Sequence, residues 1–453
     1  MRDLALVAGM LVYLPIALRY PAAGVICWAW FSIMSPHRQV YGFAFGQPLN
    51  SVIAVATLVG WLVAPGNKRW TRDAVPLLLV AFIAWTTIET PFGVAPSYSW
   101  VYWDRIIRIF ALVFLVFFLM TTKSRIHALV WTIVISLGFY GVKGGVFTIL
   151  HGGHNIVYGP PDTVYSDNNQ LALAVVTEIP LLYYLWVHTE KWWLRAGMLV
   201  AIVLQILMVF GSYSRGGVLA LTAMLGMLWL RSEHKILYGL LGLAAVGGGL
   251  QMMPDAFFDR LHTVNSLNTD DSFQGRVNAW IVAYRFAVDH FPIGAGFYAP
   301  QIKSVFNYYL PGEAPHAAHS IYFQILGEHG FLGLSLYLGI LVLGLRNALI
   351  VRRQSRGQPG LRWAYDLADM SMIALVAFYI GGAALSMAYA DEYLLIIALM
   401  SQLRQLTKPE TVAQQHQAVH RRRRRARADL EPEQDDPAEI PGQAAARGSN
   451  SSA

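Results

Sequence analysis

Long apolar segments alternate with short polar turns along most of this chain. Most of the segments hold about 15–24 residues that are mainly Leu, Val, Ile, Ala and Phe, enough to cross a hydrocarbon core of roughly 30 Å as a tilted helix. The segments are 4–18, 21–34, 49–64, 74–88, 106–120, 127–150, 170–187, 194–211, 217–230, 236–253, 321–350, 368–388 and 392–405. The pattern predicts an all-α, polytopic membrane protein. We expect about twelve transmembrane helices, or thirteen if both short N-terminal segments cross.

The polar stretches divide the chain into four predicted parts. Transmembrane helices occupy 1–253 and 321–407, and one large loop, 254–320, separates them. Residues 408–453 contain many Arg, Glu, Gln and Pro residues and few apolar ones, which is typical of a disordered tail. The Arg block of this tail could bind anionic lipid headgroups, but a stop-transfer signal with a solvated tail is the better interpretation.

Composition and charge define the class and the orientation. Hydrophobic residues make up 55% of the chain, which excludes an ordinary soluble globular protein. Basic turns such as 123–125 and 346–362 fall on one face, which is therefore predicted to be cytoplasmic, together with the tail. The 151–169 and 254–320 loops then lie on the opposite face. Cys27 is the only cysteine, so an internal disulfide is excluded.

One arginine lies where the orientation predicts few cations. Arg215 occupies a tight turn, 211–217, on the non-cytoplasmic side, next to Tyr213 and two glycines. A guanidinium matches phosphate in a bidentate geometry, and the small neighbours would let a ligand approach the backbone. We interpret Arg215 as an anion clamp. An ordinary arginine that extends to the interface is the alternative.

The 254–320 loop carries a predicted amphipathic helix over 272–290. Arg276 and Trp280 share one face of this helix because they are one turn apart, whereas Arg285 lies on the opposite face. One arginine of the helix can therefore face a site. A surface helix with solvated charges is the alternative interpretation.

Two histidines, His316 and His319, lie one turn apart at the end of the same loop. A histidine has an ordinary pKa suited to a general base near neutral pH. A zinc site is disfavoured, since the usual helical motif is His-Glu-x-x-His, and a purely structural histidine is the other alternative. Ser320 is predicted to cap the next span.

Further polar residues lie close to these loops. Glu328 falls about two and a half turns into the span after Ser320, so it needs a partner, for which we expect an arginine of the loop. Asn168, with Asp167, is better explained as a helix cap than as a sugar ligand. The sequence contains no P-loop, no Gly-x-Ser-x-Gly elbow and no carboxylate cluster in the loop. We therefore expect no cofactor and no metal, and we expect no nucleic-acid partner.

Taken in order, the motifs resemble the O-antigen ligase/O-antigen polymerase superfamily over roughly 160–405. The resemblance rests on Ser-Arg-Gly at 214–216, Gly-Arg at 275–276 followed by Trp280, Pro-x-Gly-x-Gly at 292–296, and His-Ser at 319–320 running into Leu-Gly-Glu-His-Gly at 326–330. The opening of the chain is similar to the O-glycosylation ligases associated with exosortase systems.

The resemblance implies a glycosyltransferase of the bacterial inner membrane with a GT-C-like fold and its active site in the periplasm. Such an enzyme transfers a glycan from undecaprenyl pyrophosphate to lipid A–core, with inversion and without metal or ATP. It also implies pyrophosphate binding by Arg215 and Arg276 and catalysis by His319. His316, Trp280, Glu328, Tyr213 and Asn168 are candidates for supporting roles.

Several alternatives stay open at this point. The motifs are shared by the ligase, the O-antigen polymerase and the protein O-oligosaccharyltransferase. A transporter of lipid-linked sugars would show internal repeats and charges within broken helices at the membrane midplane, and neither is evident in the sequence. A scaffold of an envelope complex is the weakest alternative.

Overall fold

The computed structural model describes residues 1–65, 68, 73–251, 253–255, 271–409 and 411. Over this part of the chain the backbone forms α-helices joined by turns and short 3₁₀ segments, without a strand. The helices are α1 Arg2–Arg19, α2 Pro21–Met34, α3 Leu49–Val63, α4 Ala74–Glu89, α5 Pro96–Leu119, α6 Lys123–Leu150, α7 Asn168–Val187, α8 Trp192–Gly211, α9 Arg215–Arg231, α10 Lys235–Gln251, α11 Asp271–Asp289, α12 Lys303–Tyr309, α13 Ile321–Ser355, α14 Arg362–Gly382 and α15 Asp391–Leu406.

Six helical segments of the described chain are long and apolar enough to cross a membrane: Ala74–Phe92, Lys123–Leu150, Asn168–Val187, Trp192–Gly211, Ile321–Ser355 and Pro359–Gly382. Leu49–Val63 and Lys235–Gln251 are shorter apolar helices. The prediction of an all-α membrane protein is therefore confirmed. The count of about twelve spans stays a prediction.

Two polar regions contain more helix than the sequence pattern indicated. α5 begins ten residues before the predicted start at 106, with Pro96 in its first turn, where proline is favoured. The 254–320 region holds α11, within one residue of the predicted helix, and the short α12. Residues 256–270 of this region lie outside the described part.

The core lies along α7, α14 and α15. Most of the side chains of α7 are buried, and every residue from Asp391 to Leu403 in α15 is buried. α7 packs along α14 on one side and along α8 on the other, while α6 packs along α8. α7 is apolar over most of its circumference, so other helices can enclose it on every side.

The chain divides into a unit over Met1–Thr407 and a second unit over Lys408–Ala453. Only 408, 409 and 411 of the second unit are described, so the predicted disordered tail lies outside the described residues.

Candidate active site

The turn between α8 and α9 places Arg215 at the first residue of a helix. Ser214 caps α9, since its hydroxyl oxygen accepts the backbone N–H of Gly217 at 3.0 Å. Tyr213 adopts a left-handed backbone conformation, with φ of 56°, which lets the chain reverse direction within three residues. A Cβ on Gly217 would come within 2.7 Å of the Ala172 side chain, so only glycine allows α9 to approach α7 this closely. Arg215 itself is half-buried.

The 151–169 segment is tied to this turn by three hydrogen bonds. The Tyr213 hydroxyl donates to the Gly153 carbonyl at 2.7 Å, the Val157 N–H donates to the Gly211 carbonyl at 3.1 Å, and the Asn168 side-chain amide donates to the Ser212 carbonyl at 2.6 Å. Asn168 is therefore a support for the turn.

The cap of α7 is Asp167, whose carboxylate accepts the Asn169 N–H at 2.9 Å. The interpretation of this segment as a helix cap is thus confirmed for Asp167.

Arg276 approaches the same turn from α11. Its Nη1 lies 3.5 Å from the carbonyl oxygen of Ala384, in the segment between α14 and α15. A Cβ on Gly216 would lie 3.3 Å from Leu385 and 3.7 Å from Ala384. The arginine of α11 and the first turn of α9 therefore both approach Ala384.

The α11 helix also holds the histidine segment. Trp280 Nε1 donates to the Ala318 carbonyl at 2.6 Å, and its ring stacks on Phe323 with centroids 5.0 Å apart. A Cβ on Gly275 would come within 2.9 Å of the His316 ring, so glycine lets His316 contact the helix backbone. Arg285 lies on the exposed side of α11, as the helical spacing predicts. It donates to the Tyr309 carbonyl at 3.2 Å.

His319 lies between these groups. Burial lowers its pKa below the ordinary value of 6.5, and the nearby Arg276 charge lowers this pKa further. His316 acts in the same direction, while Asp167 opposes it. His319 is therefore a neutral imidazole at neutral pH. It has a left-handed φ of 42°, a conformation in which histidine, asparagine and aspartate are enriched.

Ser320 differs from its prediction. It occupies the N-cap position of α13, but its side chain makes no capping hydrogen bond. Its carbonyl instead accepts the N–H of Gln324 at 2.8 Å. The predicted side-chain cap is therefore wrong.

Glu328 also has partners that differ from those expected. Its Oε1 accepts the backbone N–H of Tyr298 at 3.1 Å, and its Oε2 accepts the hydroxyl of Tyr389. His329 Nε2 lies 2.6 Å from the same hydroxyl, and His329 Nδ1 contacts the Glu89 carboxylate. The expectation that an arginine of the loop partners Glu328 is therefore wrong in the described contacts.

A break in α13 makes this network possible. Gly330 has φ of 66° and ψ of −170°, and the 294–296 segment lies directly against the helix there. The N–H groups of Ala295 and Gly296 donate to the carbonyls of Gly327 and Glu328, both at 2.9 Å. Sequence reasoning missed Glu89, although an ionisable residue in the apolar α4 segment was a visible signal. Nothing in the sequence pointed to Tyr389.

A cavity of about 200 Å³ adjoins the network. Glu328, Tyr389, Arg105 of α5 and Gln170 of α7 are among the residues that line it. Gln170 donates to the Ser386 carbonyl at 3.1 Å, so the cavity borders the same segment that contacts Arg276. The arrangement joins a cationic, imidazole-bearing surface to a small polar cavity.

Residues 200–338 match the family described as O-Antigen ligase. This match supports membership of the O-antigen ligase/O-antigen polymerase superfamily. The match covers Arg215, Arg276, Trp280, His316, His319 and Glu328, and the resemblance inferred from the motifs is confirmed. Residues 1–190, which include Asn168, match a family of unknown function, DUF5935. No curated protein matches the chain.

Proposed function

We propose that this member of the O-antigen ligase superfamily transfers a glycan from undecaprenyl pyrophosphate to lipid A–core. The observation that carries the proposal is the approach of Arg276 and of the Arg215 turn to the same residue, Ala384, with a neutral His319 near Arg276. Two guanidinium groups from different helices, with one uncharged base beside them, suit the displacement of a pyrophosphate by a sugar hydroxyl.

The arginines act on the leaving group. Negative charge grows on the pyrophosphate as the glycosidic bond breaks, and fixed guanidinium groups stabilise that charge. Arg215 also stands at the N-terminus of α9, where the helix dipole favours an anion. In this proposal the two arginines provide the charge that a metal ion would otherwise supply, and the donor arrives already activated, so ATP is not required.

His319 acts on the nucleophile. Its neutral ring accepts the proton of the acceptor hydroxyl while that oxygen bonds to the anomeric carbon and the pyrophosphate departs with the bonding electron pair. A single displacement of this kind inverts the configuration and needs no carboxylate nucleophile, unlike a retaining glycosidase. Trp280 supports the base through its hydrogen bond to the Ala318 carbonyl, and His316 supports it through its contact with Gly275 of α11.

We place the enzyme in the bacterial inner membrane with about twelve spans in a GT-C-like arrangement and the site facing the periplasm. The lysine and arginine residues of the turns on the other face support this orientation. The superfamily also contains polymerases, and a protein O-oligosaccharyltransferase is a further candidate. A transporter of lipid-linked sugars is less well supported, because Arg215 lies at a helix end, His319 lies in a loop, and Arg276 lies in the α11 helix of the large loop.

A transfer assay tests the proposal. The purified protein is incubated with undecaprenyl-pyrophosphate-linked glycan and lipid A–core, without nucleotide and with a chelator present. Glycan joined to lipid A–core supports the ligase. Longer lipid-linked glycan identifies a polymerase, glycan on protein identifies a protein transferase, and absence of any transfer contradicts the proposal.

The His319→Asn variant tests the base. Asparagine tolerates the left-handed backbone, so this change removes the imidazole with little backbone strain. Turnover should fall by about 100-fold to 10,000-fold with donor binding retained. Loss of donor binding would instead make the imidazole a ligand of the pyrophosphate.

A further inference from the structure

A second cationic cavity lies in the part of the chain that matches the family of unknown function. Its volume is about 940 Å³, and it is lined by α1, α2, α6, the first turn of α7 and two loops, 36–41 and 156–161. Three cations line it: Arg2, Arg38 and Lys143. None of the described residues that line it is acidic.

The placement of Lys143 indicates a ligand. It lies seven residues before the end of α6, about 10 Å along the helix axis, and is exposed. An ionisable group within a membrane helix is costly and marks a functional site by default. Lys143 also lies near the end of α6 that is opposite the basic turn at its start, so the positive-inside preference does not explain it.

Arg2 and Arg38 can also bind an anion in this cavity. Arg2 is exposed at the start of α1. Arg38 makes one ion pair, with Asp162 at 3.2 Å, but the carboxylate side chain of that pair is 68% exposed. An ion pair with a solvated partner is weak, so Arg38 can reorient toward a buried anion.

The apolar residues in the cavity wall favour a lipid over a free anion as the ligand. Leu6, Phe139 and Ile156 line it beside the cations. A ligand that contacts both the cations and the apolar residues carries a phosphate group on an apolar molecule.

The cavity and the candidate active site share one wall. Val157 lines the cavity, while its backbone N–H bonds to Gly211 in the turn that leads to Arg215. Leu171 also lines the cavity, and its neighbour Ala172 contacts the position of Gly217. A lipid held in the cavity therefore lies next to the arginine turn.

We propose that this cavity binds the phosphorylated headgroup of the acceptor glycolipid. The inference rests on the proposed transferase function, in which donor and acceptor are both anchored in the membrane. Arg215 and Arg276 hold the donor pyrophosphate, and the acceptor phosphates engage Arg2, Arg38 and Lys143 at the second cavity.

Lipid binding without the donor tests the proposal. The full-length protein in detergent is titrated with lipid A carrying its phosphates and with dephosphorylated lipid A, and binding is followed by native mass spectrometry. Arg38→Gln and Lys143→Gln should each weaken binding of the phosphorylated lipid about tenfold or more, since each removes a charge-assisted hydrogen bond. Lys123→Gln, at the other end of α6, is the matched control and should bind like the wild type.

Each possible outcome of the binding experiment either supports or contradicts the proposal. Equal binding of both lipids, or equal binding by the wild type and both cavity variants, overturns the cavity as a phosphate site. Competition by excess phosphatidylglycerol, lost in the same variants, would make the occupant a bulk phospholipid and overturn its assignment to the acceptor. Binding is measured without the donor, so failure of the transferase proposal leaves this binding result unchanged.

Discussion

At the scale of single residues, His319 is controlled by the charges around it. Its pKa is lowered by burial first and by Arg276 second, and Asp167 opposes both. A catalytic base must be neutral to accept a proton. The rate should therefore be full at pH 7 and fall only as the pH drops below the lowered pKa, which is beneath 6.5.

Asp167→Asn tests this control. Removing the negative charge takes away the group that favours the imidazolium, so the pKa of His319 falls further and the acidic limb of the pH–rate profile moves to lower pH. Asparagine also caps helices well, so α7 should stay intact. Glu313→Gln, an exposed carboxylate of the same polar region, should leave the limb in place. A limb that does not move with Asp167→Asn would mean that another group titrates.

The two arginines are expected to act through their shape as well as their charge. Arg215→Lys and Arg276→Lys should each lower kcat/KM by about 100-fold, because an ammonium does not reproduce bidentate contact with phosphate. Arg285→Lys, on the exposed side of α11, should change kcat/KM less than about twofold, since exposed charges contribute little. Steady-state kinetics of the three variants measure these changes in kcat/KM. Full activity of either site variant would reduce that arginine to a general positive charge.

At the scale of elements, the break in α13 holds the polar network in place. A Cβ on Gly330 would lie 2.3 Å from the Pro292 carbonyl oxygen, and its backbone angles are ones that other residues rarely adopt. Gly330→Ala should therefore cost about 3 kcal/mol or more in stability. The melting temperature in detergent should drop accordingly. Gly226→Ala, in α9 with nothing within 4 Å, should be neutral or slightly stabilising. Equal melting of the two variants would show that the break in α13 is not constrained.

Most of the helices could be predicted from the sequence, because each predicted apolar segment overlaps an observed helix. The shared face of Arg276 and Trp280 followed from helical spacing alone. The partners of Glu328 could not be predicted, since Tyr389 and Tyr298 reach it only through the break at Gly330 and through tertiary packing. The predicted role of Ser320 was wrong because residue type favours a cap, whereas the Ser320 side chain makes no capping hydrogen bond.

At the scale of the whole molecule, the described site groups meet at helix ends away from the basic turns. Backbone hydrogen bonds, notably that of Val157 to Gly211, link the Arg215 turn, the 151–169 segment and the second cavity. If Lys and Arg residues fix the orientation, all of these groups face the periplasm together. The orientation of one of them therefore determines the orientation of the rest.

Cysteine labelling tests that orientation directly, because Cys27 is the only native cysteine and is buried. In a Cys27→Ala background, one new cysteine replaces exposed Ala314 beside the histidine segment, and another replaces exposed Gln358 in the basic turn between α13 and α14. A membrane-impermeant maleimide added to intact spheroplasts should label Ala314→Cys, and it should label Gln358→Cys only after the membrane is opened. This follows because Arg352, Arg353 and Arg356 surround the second position and basic turns are retained in the cytoplasm. The reverse pattern would place the arginines and His319 in the cytoplasm, where a periplasmic transfer to lipid A–core cannot occur, and would overturn the proposed function together with the topology.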